Sequence, residues 1–73
     1  MTVFDLKKGD CARVTRIKVE GNARSRLDSL GLDIGTHIEV LGYSLFRSGV
    51  LISFGGVRLG MRKKIAEAVE VAL

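Results

Sequence analysis

The segment VLISFGGVRLGM, residues 50–61, contains the clearest structural signal in the chain. Apolar residues alternate with other residues on both sides of the central Gly55-Gly56 pair, which predicts two strands that each turn one face toward a core. The favoured two-residue hairpin turns need positive φ at their central positions, and glycine adopts positive φ at little steric cost. The segment therefore predicts an antiparallel β-hairpin.

Short segments with the same alternation occur elsewhere among the nine glycines of the chain. They predict a strand over residues 11–19, another over 36–40 and a closing strand over 69–73. In the segment 36–40, we expect Ile38 and Val40 to face the core. Together with the hairpin, these segments predict four or five strands.

The apolar residues of the first strand have two different parities. Ala12 and Val14 share one face, whereas Ile17 and Val19 would point to the opposite face of a regular strand. A bulge or bend near residues 15–16 would turn all four toward one core. The alternative is that Ile17 packs on a second surface.

Residues 22–30 are predicted to form a short helix, because apolar residues recur there at i, i+4 and i+7. This stripe consists of Ala23, Leu27 and Leu30. Asn22 can cap the start of the helix, and Gly31 suits a left-handed C-terminal cap. Residues 62–67 are predicted to form only a turn or a helical turn.

A chain of 73 residues has room for one small domain, residues 1–73. The strands and the helix together predict a mainly β fold, a small SH3-like β-barrel of about five strands with one short helix inserted after the first strand. Closure into a barrel would hide the strand edges. The hydrophobic content of 47% favours a compact fold over a disordered chain.

The compartment is predicted from segments that the sequence lacks. The N-terminal residues MTVFDLKKGD do not have the pattern of a secretory signal. No apolar run approaches the roughly 20 residues that span a bilayer. We therefore expect a cytoplasmic protein.

The residues that usually carry catalysis or bind metal are scarce, since the chain has one cysteine, Cys11, and one histidine, His37. Nucleophilic catalysis needs a nucleophile, a base and a group that orients the base. A transition-metal site usually assembles three or four ligands. We expect no enzyme activity, no cofactor and no metal ligand, with a metal site shared between two copies, or metal binding by His37 alone, left open.

The net charge of +4 favours an acidic partner, although it is also an ordinary solubility charge for a small domain. Small barrels often bind RNA or single-stranded DNA through a basic face that carries stacking aromatics. The run Arg62-Lys63-Lys64 is basic, but aromatic residues make up only 5% of the chain. Nucleic-acid binding is therefore the alternative function.

Leu45 and Phe46 do not fit the strand pattern clearly. They could be strand residues, could close one end of the barrel, or could lie in an exposed loop. Exposed apolar side chains beside an arginine make plausible interface anchors, and Arg47 follows directly. On the predicted helix, Arg24 and Arg26 project away from the apolar stripe and are further candidates for a partner contact.

The order of these landmarks resembles the FeoA family, over nearly the whole chain. The matching features are Lys8-Gly9 before the first strand, the segment RLDSLGL at 26–32 followed by Gly35, the Gly55-Gly56 turn, and Leu59-Gly60-Met61-Arg62 followed by Ala66. The most specific of them is the Arg-Leu-x-x-Leu-Gly-Leu-x-x-Gly stretch.

The resemblance implies a function as well as an SH3-like fold with a helix between its first two strands. It implies an accessory protein that acts on FeoB, a membrane transporter for Fe(II) with a cytoplasmic G-protein domain, and that reaches the membrane only through this partner. Self-association stays open. The expected contacts are Arg24, Arg26, Leu45, Phe46 and Arg47. The same domain type occurs in iron- and manganese-dependent repressors, but no DNA-binding helices precede the barrel here, so we expect a stand-alone protein.

Overall fold

Five antiparallel strands form one sheet in the computed structural model, which describes all 73 residues. The strands are β1 (Cys11–Ile17), β2 (His37–Tyr43), β3 (Gly49–Phe54), β4 (Val57–Arg62) and β5 (Val69–Ala72). Their order in the sheet is β4-β3-β2-β1-β5. The helices are α1 (Gly21–Leu30) after β1 and the single turn α2 (Lys63–Ala66) between β4 and β5. Two 3-10 turns cover Val3–Asp5 and Leu45–Arg47. The predicted mainly β class, with a short helix after the first strand, is confirmed.

The Gly55-Gly56 connection is the predicted tight hairpin. Its two glycines have φ angles of 52° and 81°, so both occupy the left-handed region. Phe54 pairs with Val57 on either side of the turn, and the register continues without interruption to the pair of Gly49 and Arg62. The hairpin is therefore regular along its whole length.

The predicted bulge in β1 is also confirmed. The pairing of β1 with β5 shifts between Val14 and Arg16. This extra residue changes the parity of the strand, so Val14 and Ile17 are both buried in the same core. A second shift, which the sequence analysis did not predict, lies in β2 between Val40 and Gly42.

Some predicted boundaries are wrong. Strand β1 ends at Ile17 and not near Val19, although the Val19 side chain is buried. The helix cap at Asn22 is also wrong, because the chain enters the helix one residue earlier, at Gly21, and Glu20 occupies the cap position without a side-chain hydrogen bond. At the C-terminus, β5 ends at Ala72.

The C-terminal end of α1 follows the prediction. Gly31 has a φ of 93°, and its N–H donates to the carbonyl of Asp28 at 3.0 Å. The N–H of the next residue, Leu32, donates to the carbonyl of Leu27 at 3.0 Å. Leu32 is fully buried, which supplies the hydrophobic contact typical of this motif.

The core consists of 17 buried residues, all of them apolar. Most come from the inner face of the sheet. Helix α1 contributes Leu27, and α2 contributes Ala66. The N-terminal segment supplies Val3 and Leu6, which are buried although the sequence analysis assigned them no role.

The two outer strands of the sheet, β5 and β4, differ in whether another segment covers their free edge. The N-terminal residues cover β5, since Thr2 forms an antiparallel bridge to Glu70 and the carbonyl of Met1 accepts a hydrogen bond from Val71 at 2.9 Å. Strand β4 pairs only with β3. The sheet is therefore a barrel-like fold that is not closed by pairing of β4 with β5, and α2 connects these two strands.

Neither helix has the length and apolar character needed to cross a membrane.

The different burial of two leucines on α1 predicts different effects on stability. Leu27 is 5% exposed, whereas Leu30 is only partly buried against the core. Leu27→Ala should lower the free energy of unfolding by about 2 to 5 kcal/mol, and Leu30→Ala by less than about 2 kcal/mol. Urea denaturation of both variants measures the difference. An equal loss at both positions would contradict the described packing of α1.

The ion pair between Lys18 and Glu70 predicts a pH dependence. The Lys18 Nζ atom lies 2.7 Å from Glu70 Oε2, and the hydrogen bond from Lys18 lowers the pKa of Glu70 below its ordinary value near 4.5. A carboxylate whose pKa is lower in the folded state stabilises that state above the unfolded pKa, and the contribution is lost as the pH falls through the folded pKa.

Glu70→Gln should therefore lower stability modestly at neutral pH. Its difference from the unsubstituted protein should shrink as the pH falls below about 4.5 and vanish once the pH is below the lowered pKa of Glu70 in the folded state. Urea denaturation at a series of pH values measures this. Glu67→Gln is the matched control, because Glu67 is exposed on the surface and forms no ion pair. A constant difference across the whole pH range would show that Glu70 does not act through its charge.

Candidate functional site

The 3-10 turn Leu45–Arg47, between β2 and β3, carries the most exposed aromatic side chain of the protein. Phe46 is 92% exposed and Leu45 is 79% exposed. These residues therefore neither belong to a strand nor close an end of the barrel. Large apolar side chains held this far into solvent are a common mark of a contact surface.

The backbone of this turn is strained. Phe46 has a φ of 63° and Arg47 a φ of 55°, and no other residues except glycines have positive φ in this protein. For a side chain with a Cβ atom, this left-handed conformation costs on the order of 1 to 3 kcal/mol per residue. Such strain persists only where the surrounding contacts enforce it.

Ser44 enforces the conformation at the base of the turn. Its carbonyl accepts a hydrogen bond from the Arg47 N–H at 2.8 Å. Its Oγ accepts one from the Gly49 N–H at 2.8 Å and lies 2.9 Å from the Oγ of Ser48. These bonds close the turn into a small loop of fixed shape.

Arg47 holds the turn against the N-terminal segment. Its guanidinium carbon lies 4.0 Å from the ring centroid of Tyr43 and 4.9 Å from that of Phe4. It also donates a hydrogen bond to the Phe4 carbonyl at 3.0 Å. Tyr43 is fixed in turn, because its hydroxyl donates to the carbonyl of Leu6 and its ring meets Phe4 edge to face with centroids 5.3 Å apart.

We call these three residues, Phe4, Tyr43 and Arg47, the aromatic clamp. The clamp fixes Arg47, the last residue of the turn, against the N-terminal segment. Its guanidinium already contacts the rings of Phe4 and Tyr43 and donates a hydrogen bond to the Phe4 carbonyl.

The two arginines of α1 have different environments. Arg24 donates to the carbonyl of Ile17 at 3.3 Å, and its guanidinium nitrogens lie 3.3 Å from Asp28 and 3.6 Å from Asp33. Arg24 therefore joins α1 to the end of β1 and to the following loop. Arg26 is exposed and forms no ion pair.

The five predicted contact residues fall into two groups that the fold does not bring together. Strands β1 and β2 are antiparallel, with Cys11 opposite Glu39. The chain therefore leaves β1 toward α1 at one end of this pair, and leaves β2 toward Leu45–Arg47 at the opposite end.

A shallow groove on the outer face of the sheet begins beside the turn, and the sequence analysis missed it. Its volume is about 390 Å³, and its lining includes Tyr43, Gly49 and Leu51. Leu51 is 40% exposed and pairs with Gly42 on one side and Gly60 on the other. The two glycines leave the backbone bare on either side of Leu51. Gly60, a glycine inside a predicted strand, was the sequence signal that could have indicated a groove; Gly42 lies beyond the strand predicted over residues 36–40, because β2 extends to Tyr43.

Cys11 and His37 line a second, smaller pocket of about 190 Å³ on β1 and β2. The thiol of Cys11 is exposed. No three His, Cys, Asp or Glu side chains lie close enough together to hold a metal ion.

Known structures share this fold. The chain has a TM-score of 0.92 and 35% sequence identity to the FeoA protein from Chlorobium tepidum, over 97% of this chain and 68% of that one. It has a TM-score of 0.82 and 35% identity to an iron uptake regulatory protein, FeoA, over 99% of this chain and 93% of that one.

A more distant neighbour belongs to another class of protein. A manganese-dependent transcriptional repressor has a TM-score of 0.85 and 20% identity to this chain, over 99% of this chain and 35% of the repressor. At this identity, the match shows a common fold alone. No curated protein sequence matches the chain significantly.

The family comparison agrees with the two FeoA structures. The family model for the FeoA domain matches residues 1–73, the whole of the sequence. The chain therefore belongs to the FeoA family, whose members are small accessory proteins associated with ferrous iron transport.

Proposed function

We propose that this protein is a cytoplasmic accessory protein of ferrous iron uptake that binds the cytoplasmic region of a FeoB-type transporter. One observation carries the proposal for the contact. Leu45 and Phe46, which are 79% and 92% exposed, project from a strained turn that the aromatic clamp and Ser44 hold in one conformation.

The energetic argument is that the backbone strain opposes the stability of the isolated protein, while the exposed side chains of Leu45 and Phe46 contribute almost nothing to it. A polar residue at Phe46 would remove the exposed ring, and asparagine or glycine would tolerate the positive φ better. Burial of Leu45 and Phe46 against a partner would recover roughly 1.5 to 3 kcal/mol for each side chain. Binding of a partner that covers Leu45 and Phe46 would therefore supply the burial energy that the isolated protein lacks at this turn.

The fixed shape of the turn also favours binding. A loop that is already held by hydrogen bonds and by the aromatic clamp loses little conformational freedom on association. This compensates for the small number of apolar side chains that it presents. A contact of this size suits a reversible regulatory partner.

The arginines of α1 contribute differently to the proposed contact. Arg26 is free to pair with a carboxylate of the transporter, as a second contact at the other end of the β1–β2 pair. Arg24 is held by Ile17, Asp28 and Asp33 and acts by keeping α1 in position.

Binding alone would not modulate transport. The protein must bind at least two conformations of the transporter with different affinities, because a partner with equal affinity for both conformations does not change their relative populations. We propose that the nucleotide state of the transporter's G-protein domain sets these conformations.

The alternative function, binding of RNA or single-stranded DNA, has less support. Stacking on bases needs exposed aromatic rings. Phe54 is buried, and Phe4 and Tyr43 are half-buried, each with the Arg47 guanidinium against its ring. Phe46 is the one ring that stands free in solvent.

An amide NMR titration tests the proposed partner. The labelled protein is titrated with the soluble cytoplasmic region of its transporter, loaded with GDP or with a GTP analogue, and separately with a short RNA at two salt concentrations. We expect shifts confined to the turn Leu45–Arg47 and the residues around Arg26, with affinities that differ between the two nucleotide states. RNA binding that weakens steeply with salt would instead establish the alternative function.

Substitutions in the turn separate binding from folding. Leu45→Ser with Phe46→Asn should weaken transporter binding by at least about tenfold, since two apolar contacts are lost. Urea denaturation should show a stability equal to or above that of the unsubstituted protein, because asparagine relieves part of the strain.

Ile34→Ser is the matched control for these substitutions. Ile34 is also a large apolar residue, 60% exposed, but it lies in the loop after α1. This variant should bind the transporter normally. Loss of binding on Ile34→Ser, with normal binding by the turn variant, would exclude the turn and place the whole contact at the α1 end of the protein.

A further inference from the structure

Strand β4 (Val57–Arg62) has an outer edge with unused backbone hydrogen-bonding groups. In an antiparallel pair, alternate residues bond to the neighbouring strand, and the residues that flank a two-residue turn form a bonded pair. Val57 flanks the Gly55-Gly56 turn, so Val57, Leu59 and Met61 bond to β3. The N–H and C=O groups of the other residues point away from the sheet. These residues are Arg58, Gly60 and Arg62.

No other part of the chain covers this edge. None of the backbone hydrogen bonds in turns, loops and caps involves residues 57–62. The opposite edge of the sheet is covered, since Met1 and Thr2 lie along β5. A partly apolar strand with a free edge can pair with an extended segment of another chain.

The side chains on this edge define the chemistry of such a segment. Arg58 and Arg62 are exposed, and neither takes part in an ion pair or a side-chain hydrogen bond within the protein. They lie on the outer face of the sheet, on either side of Gly60. A paired strand would place its own outward side chains opposite these three residues, at positions i, i+2 and i+4.

Gly60 leaves space for a large side chain between the two arginines. A Cβ atom at Gly60 would have no heavy atom within 4 Å. On β3, Gly60 pairs with Leu51, which is 40% exposed and lines the groove described above. A large apolar side chain opposite Gly60 would cover the bare backbone and contact Leu51.

We propose that the free edge of β4 binds an extended acidic segment of a protein partner as a sixth strand. The segment has the pattern acid-x-apolar-x-acid, with its carboxylates paired to Arg58 and Arg62 and its central apolar side chain over Gly60. This inference goes beyond the proposed function and does not depend on binding of the transporter by the turn Leu45–Arg47.

Charge argues against a second copy of the protein as the occupant. In a symmetric antiparallel pairing of two β4 strands centred on Gly60, Arg58 of each copy would lie opposite Arg62 of the other. Like charges directly opposite each other destabilise a strand pair. An acidic segment replaces this repulsion by two attractive pairs.

A peptide titration tests the proposal. The probe is Ser-Gly-Glu-Thr-Phe-Thr-Glu-Gly-Ser, and the control replaces both Glu residues by Lys. On binding of the acidic peptide, hydrogen exchange should slow at the amides of Arg58, Gly60 and Arg62. The amide of Leu59, which already bonds to β3, should change little and serves as an internal reference. Equal slowing at all four amides, or tighter binding of the Lys peptide, would overturn the proposal.

Variants of β4 distinguish pairing from nonspecific attraction. Gly60→Pro removes an N–H that makes no bond to β3 and should abolish peptide binding, whereas Gly60→Ala should retain it. Arg58→Glu with Arg62→Glu should weaken binding by at least about tenfold, and Arg13→Glu, on the exposed face of β1, should change it little.

The outcomes that contradict the proposal are distinct. Unchanged peptide affinity in the Gly60→Pro and Arg58→Glu/Arg62→Glu variants would exclude the β4 edge as the binding site. A dimer of the unsubstituted protein that Gly60→Pro converts to a monomer would make a second copy the occupant. Normal transporter binding by all of these variants would leave the function proposed for the turn intact.

Discussion

The parity change in β1 is the constraint on which the rest of the structure depends. Strand β1 pairs with β2 through its first residues and with β5 through its later ones, and the bulge between Val14 and Arg16 lets both parts face one core. Without the extra residue, Ile17 would point to the outer face, and the core would lose the side chain that lies opposite Val69 of β5. The bulge therefore allows a chain of 73 residues to assemble 17 buried apolar side chains.

The outer surface combines two kinds of feature with different physical origins. The turn Leu45–Arg47 presents two exposed apolar side chains next to the aromatic clamp. The edge of β4 presents backbone groups and two unpaired arginines. The side chains that these two features present are exposed, so substitutions of them should have little effect on the fold. This separation of a stable core from variable surface elements suits a protein that acts by binding.

Local patterns allowed much of the fold to be predicted. The Gly55-Gly56 hairpin, the bulge in β1 and the left-handed cap at Gly31 each follow from a few neighbouring residues. The N-terminal contribution to the core did not, because Val3 lies in a 3-10 turn without strand or helix periodicity. The aromatic clamp was missed for a related reason: the Tyr43 hydroxyl bonds to a carbonyl 37 positions earlier in the chain, at Leu6. Such a contact exists only once the fold has formed. It fixes the Tyr43 ring against which the Arg47 guanidinium packs.

The exposed thiol of Cys11 has a practical consequence. It is the one cysteine of the sequence, and it lies on the outer face of β1, opposite Glu39. A maleimide fluorophore or a nitroxide spin label would therefore attach at a single defined position without any substitution. Because β2 and β3 separate Cys11 from β4, a probe there could follow the approach of a partner by energy transfer or paramagnetic relaxation without occupying the β4 edge.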